Sequence, residues 1–305
     1  MRFRDWATRV MLIFWMFATL ILVLIFGSSD KVQNNAQISS PQPGTVNQYP
    51  QAFLRTDVDK KGQEVNSSPS TDSLNQTPKS ISPQPKAKKP KPKTKQTVKY
   101  TTTTAFSLYQ PQLASATIDS SNYGERHTHD VNGVLLQNKP IIVLHETTNS
   151  ATSAINFFRN HHTNDNNQAS YHTLIALDGT VIYLLSPDKR AYGAGNSIFK
   201  GPNGVETVKT NPNLPPSVNN FAYHVSLETP PDAWGKSNIQ GHSGYTEAQY
   251  DSLAWLIAQS QVPDNRITTH RDVDVANGKV DPLSFDFDKF LNKLHSFRVL
   301  KSWNN

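Results

Sequence analysis

The 305-residue chain contains no cysteine. Disulfides, zinc–thiolate sites, iron–sulfur ligation and a thiol nucleophile are therefore excluded, and any metal must be held by histidine and carboxylate. The same absence fits a reducing or an oxidising compartment alike. Excess positive charge is also missing where a nucleic-acid-binding domain would need it. Residues 1–27 carry three Arg and one Asp (+2), residues 28–100 carry twelve Lys/Arg and five Asp/Glu (+7), and residues 101–305 carry fifteen and eighteen (−3), which sum to the +6 of the whole chain. The basic balance belongs to the first third, so no nucleic-acid partner is expected. No internal repeat is present.

One long apolar run stands out. Residues 10–27 (VMLIFWMFATLILVLIFG) are 18 residues without a charge, within the ~17–25 that span a bilayer as a helix. Arg2, Arg4 and Arg9 precede it, and the first charge after it is Asp30. The positive-inside rule puts the N-terminus in the cytoplasm and the rest of the chain outside. A cleaved signal has a shorter apolar core and small residues at its end. This run is bulky almost to its end and closes on Gly27-Ser28-Ser29, so an uncleaved membrane anchor is expected. Residues 28–100 are rich in Pro, Ser, Gln, Asn and Lys. They bury too little apolar surface to offset ordering and read as a disordered linker. Seven Lys between Lys86 and Lys99 make its end a solvated, self-repelling spacer.

From Thr101 the composition becomes globular, with a core expected over about 139–295. PIIVLHET (140–147) is rich in β-branched residues and predicts a buried strand. TSAINFFRNHH (152–162) predicts a helix with Ile155, Phe158 and His162 on one face. SYHTLIAL and TVIYLLS flank Asp178-Gly179, a strong hairpin signal. FAYHVSLE (221–228) predicts another strand, with His224, Ser226 and Glu228 on one side. Thr246 and Gln249 form a capping box before a helix that faces Tyr250, Leu253, Leu256 and Ile257 inward. RITTH (266–270) reads as a short strand and FDFDKFLNKL as a terminal helix. Together these give an α/β domain, a single mixed central sheet flanked by helices, preceded by a transmembrane helix and a disordered linker.

Two histidines close predicted strands, His145 in IVLHETT and His270 in ITTHRD, and Asp281 follows in GKVDPLSFD. Two imidazoles and one carboxylate suit a catalytic zinc with a fourth position open. Spacing alone does not decide it, because all ten histidines lie within residues 101–305 and pair in many ways. Motif order adds to this. IIVLHET, SYHTLIALDGTVIYLL, RAYGAGNS, NNFAYHVSLET, YTEAQYDSLAWLI, ITTHRDVD and KVDPLSFDF, from Lys139 to Phe290, resemble in sequence the type-2 N-acetylmuramoyl-L-alanine amidase family, which includes peptidoglycan-recognition proteins.

The resemblance implies Zn²⁺ and hydrolysis of the amide between N-acetylmuramic acid and L-alanine in peptidoglycan. It places His145, His270 and Asp281 on the metal ligands. Glu228 falls on the catalytic glutamate, Lys279 on a basic residue near the metal, and Tyr171 on a tyrosine used by the phage and recognition-protein branches. One departure is Gly193 in AYGAG, where many members carry His. The polar loop from Lys200 to Val218 is not explained by the family pattern. His172, His224 and His242 are further pocket candidates, Glu146 stays unassigned, and His161 and His162 are read as capping a helix end. A monomeric catalytic domain is expected, tethered by a single span to a bacterial inner membrane and lying in the periplasm or cell envelope. A peptidoglycan-binding module of the same fold without activity is the alternative.

Overall fold

The computed structural model describes residues 99–301, except 237 and 277. The apolar run at 10–27 and the linker up to residue 98 lie outside the described residues. Among the described residues, no helix is long and apolar enough to cross a membrane.

In chain order, β1 (Lys99–Thr102), α1 (Thr104–Leu108), β2 (Leu113–Ser115) and β3 (Tyr123–Glu125) precede β4 (Ile141–Glu146). Then come α2 (Ala151–Arg159), β5 (Thr173–Ile175), β6 (Val181–Tyr183) and β7 (Lys189–Ala191). The hairpin β8 (Phe199–Gly201) and β9 (Gly204–Glu206) is followed by β10 (Ala222–Leu227) and α3 (Glu247–Ala258). β11 (Ile267–Thr269), the short α4 (His270–Val273), α5 (Phe287–Phe297) and β12 (Arg298–Lys301) complete the chain.

Six strands form the central sheet in the order β11-β4-β10-β5-β6-β2. All neighbours run parallel except the β5–β6 hairpin. The sheet is mixed, as expected. Every residue of β4 and β10 is buried, because helices and loops cover both faces, the setting in which strands become continuously apolar. On one face Ile142, Leu144, Val225 and Leu227 pack with Tyr250, Leu253, Leu256 and Ile257 of α3 and with Phe290 and Leu294 of α5. Burial of each such side chain stabilises by about 1.5–3 kcal/mol. On the other face Leu174 and Ile182 pack under Ile155 and Phe158 of α2.

Local signals explain the element boundaries. The capping box of α3 has both of its bonds, Thr246 with the Gln249 backbone and Gln249 with the Thr246 backbone. The β5–β6 turn closes with Gly179 at φ +86°, a left-handed conformation that glycine adopts without steric cost. Two expectations are corrected. α2 ends at Arg159, so His162 is not on its buried face; its Nδ1 instead meets Asn122 Oδ1 at 2.9 Å, and His161 meets Asp119 at 3.1 Å. The folded part also begins before Thr101, because β1 pairs antiparallel with β12.

Candidate metal centre

Register brings the site together. β4 and β10 are aligned so that Ser226 stands beside His145 and Leu227 beside Glu146. Side chains alternate along a strand, so His145 shares its face with His224, Ser226 and Glu228, while Glu146 lies on the other. β11 aligns Thr269 with Leu144, which puts the next residue, His270, level with His145 at the strand ends. Thr269 caps α4 by accepting from Asp272 N–H, and this turns the chain so that His270 opens a helix. Asp281 returns to the same place, its carbonyl accepting from Arg271 N–H at 3.0 Å.

The ligand atoms of His145, His270 and Asp281 all lie within 4.8 Å of one another. His270 Nδ1 is 3.0 Å from Asp281 Oδ1, and His145 Nδ1 is 3.4 Å from Asp281 Oδ2. His145 is fully buried, and its Nδ1 has no hydrogen-bond partner. Burial pushes the His145 imidazole down to about 4, so its ring is neutral at neutral pH. Burial alone would raise Asp281, but the His145 and His270 imidazoles beside it hold its carboxyl well below the usual carboxylate range. A neutral imidazole with an unpartnered inward nitrogen, a second imidazole and an ionised carboxylate are the donor set of an open zinc site. The three residues fit such an ion.

Tyr171 and Lys279 are also brought to this place. The Tyr171 ring lies 4.7 Å from that of His145. Burial, with the charge of Asp281, raises the Tyr171 hydroxyl well above its ordinary value, opposed by the nearby Ser226 hydroxyl. It is therefore an O–H donor at any working pH. A cleft of about 630 Å³ opens beside the trio, lined by Tyr171, Arg190, Tyr192, His270 and Lys279 among others. Its outer wall includes Thr210, Asn211, Leu214 and Pro215, which gives the polar loop its place. That loop is anchored behind by Glu206, bonded to Arg266 at 2.5 and 3.1 Å.

Glu228 has a different setting from the one expected. Its Oε1 accepts from Ala151 N–H at 2.8 Å and its Oε2 from Leu177 N–H at 2.9 Å. These bonds tie the first turn of α2 and the β5–β6 turn to the end of β10. The β10 residue level with His145 is Ser226, whose side chain is fully buried. Of the three further histidines, His224 reaches the site, its Nδ1 2.8 Å from His145 Nε2. His172 lies one step beyond, its Nδ1 accepting from His224 backbone N–H at 3.0 Å. His242 is on the opposite side of β4, where it and Tyr245 bond to Glu146 at 3.0 and 2.6 Å. Alternation in FAYHVSLE shows His224 and Ser226 on one face, but only the parallel register shows which residue of β4 they meet.

Residues 137–284 match the N-acetylmuramoyl-L-alanine amidase family. Among solved structures, AmpD shares 22% identity over 58% of this chain and 93% of its own, with a TM-score of 0.39. AmiD from E. coli, in complex with anhydro-N-acetylmuramic acid-L-Ala-D-gamma-Glu-L-Lys, shares 16% over 56% of this chain and 65% of its own, with a TM-score of 0.40. AmpDh3 from Pseudomonas aeruginosa, in complex with anhydromuramic pentapeptide, shares 16% over 57% and 62%, with a TM-score of 0.38. This chain spans less than two thirds of the AmiD and AmpDh3 chains. No curated protein sequence matches it.

Proposed function

We propose, since residues 137–284 belong to the type-2 N-acetylmuramoyl-L-alanine amidase family, that this chain hydrolyses the amide between N-acetylmuramic acid and L-alanine in peptidoglycan, using Zn²⁺ held by His145, His270 and Asp281. The observation that carries the reading is the convergence of those three side chains, from three separate segments, within 4.8 Å. Bound there, Zn²⁺ supplies Lewis acidity and an activated water at neutral pH.

The chain's own groups divide the remaining work. Asp281 stays ionised and His145 neutral, so neither requires deprotonation before it can act as a ligand. Tyr171 donates its O–H to the oxygen that gains charge as the carbonyl is attacked. The Lys279 ammonium, on the cleft wall, adds a cationic donor for the same developing charge. Glu228 we read as the carboxylate that ties the end of β10 to α2 and to the β5–β6 turn through its two amide bonds. Serving as the proton carrier expected from its position would require releasing one of them. The apolar run at 10–27 is proposed as a single-pass anchor that carries the domain into the cell envelope.

The test is digestion of purified peptidoglycan by the full-length protein and by His270→Ala. Metal-dependent release of stem peptides by the wild type, lost in the variant, supports the reading. Equal release by both would refute the ligand assignment.

A further inference from the structure

The His145 ring has two nitrogens, and only Nδ1 faces Asp281. The other, Nε2, points away and is 2.8 Å from Nδ1 of His224. A neutral imidazole carries one proton. For Nδ1 of His145 to offer its lone pair to a metal, the proton must sit on Nε2, and Nε2–H then donates to His224 Nδ1. His224 must in turn carry its own proton on Nε2. The bond therefore fixes the tautomer of the ligand as well as its angle. Partners of this kind, bound to the far nitrogen of a metal-ligating histidine, orient the ring and keep the inward nitrogen free.

His224 is itself held rigidly. It is fully buried, and its backbone is clamped in both directions by His172: His224 N–H donates to His172 Nδ1 and His172 N–H donates to His224 O, each at 3.0 Å. On the ring's other side lies Gly193. A Cβ at that position would fall on the imidazole, 2.6 Å from Cγ and 2.8 Å from Cε1. With the His224 ring in this position there is no room for a side chain at 193, which gives a physical reason for glycine in AYGAG.

We infer that His224 is the positioning residue of the metal site: it fixes the tautomer and direction of His145, and Gly193 is the glycine that leaves room for it. The inference rests on the metal reading above and deepens it. His224 meets His145 on the nitrogen that faces away from Asp281, so its role appears in metal affinity rather than only in turnover.

The experiment measures Zn²⁺ affinity of the full-length protein by competition with a chromophoric chelator, alongside melting of the metal-free form. His224→Ala removes the acceptor and is expected to weaken binding about 10–100-fold. His224→Asn places an amide oxygen near the position of Nδ1, accepts from His145 Nε2–H, and is expected to restore affinity to within about three-fold of wild type. Gly193→Ala, which keeps His224 but forces its ring aside, is expected to weaken binding as His224→Ala does. A purely structural role for His224 would lower the metal-free melting point in step with affinity and would not distinguish Asn from Ala at matched stability. Unchanged affinity in His224→Ala, or an Asn variant as weak as Ala with the same metal-free stability, would overturn the inference while leaving the ligand trio intact. A wild-type protein that binds no Zn²⁺ would overturn the ligand reading first, and the positioning role with it.

Discussion

Tyr171 and Glu228 are the two residues whose chemistry most clearly depends on their surroundings. Tyr171 is kept protonated by burial and by the charge of Asp281, so its hydroxyl is available as a donor. Tyr171→Phe should lower kcat about 10²–10³-fold, as loss of one oxyanion donor typically does, with Zn²⁺ content unchanged by elemental analysis. Glu228→Gln separates two roles. The amide has one acceptor oxygen, so one of the backbone N–H groups of Ala151 and Leu177 would face an NH₂ group. That should cost about 1–3 kcal/mol in urea unfolding, while turnover of the folded variant falls less than ten-fold. A loss of 10² or more at unchanged stability would instead make Glu228 the acid–base group. The trio His145, His270 and Asp281 was legible in the sequence because each residue closes or follows a strand in a recognisable motif. Ser226 and the position of His224 against His145 were not, because strand register is a tertiary property that no local pattern encodes. The catalytic role expected for Glu228 came from the family resemblance, and its two amide partners, 77 and 51 positions away, were not legible because they too come from tertiary contacts.

At the scale of elements, turns and caps that the sequence announces are where they were expected. The Asp178-Gly179 turn joins β5 to β6, and Thr246 with Gln249 starts α3. Gly179 sits at φ +86°, and a Cβ there would lie 2.8 Å from the Ala248 carbonyl oxygen. Gly179→Ala should therefore destabilise the domain by more than about 1 kcal/mol, read as a lower urea midpoint. An unchanged midpoint would show that the turn relaxes freely. The end of α2 was less legible. NHH continues the apolar spacing of a helix, but His162 gains Asn122 as a partner outside it, and a side chain with a better tertiary partner ends a helix earlier than periodicity suggests. The loop at 200–218 gave no sequence signal, because its task is to wall a cleft that exists only when β8, β9 and the sheet are in place.

For the molecule as a whole, three buried histidines in a row link folding to pH. Burial holds His145 down at about 4 and pushes His172 and His224 well below their ordinary value. A neutral native histidine gives its full stabilisation above the unfolded value near 6.5, and loses it as pH falls through the native one, because the unfolded chain takes up protons first. His145 alone amounts to about 3 kcal/mol across the window from 6.5 to about 4. Asp281 acts in the same direction at still lower pH. In chelator, the melting point should drop by about 5 °C or more between pH 7.5 and pH 5. A flat profile would mean that the three rings are hydrated or ionised in the native state.

The central claim, an amidase run by the His145–His270–Asp281 centre, is tested most directly by the mass spectrum of the products. Purified peptidoglycan is digested with the full-length protein, with Zn²⁺ and with chelator. The account predicts free stem peptides that begin with an unblocked L-alanine, glycan strands that keep an intact lactyl carboxylate, and loss of both with chelator and recovery with Zn²⁺. Stem peptides still joined to muramic acid after digestion, with the wall bound but uncut or cleaved at another bond, would contradict it.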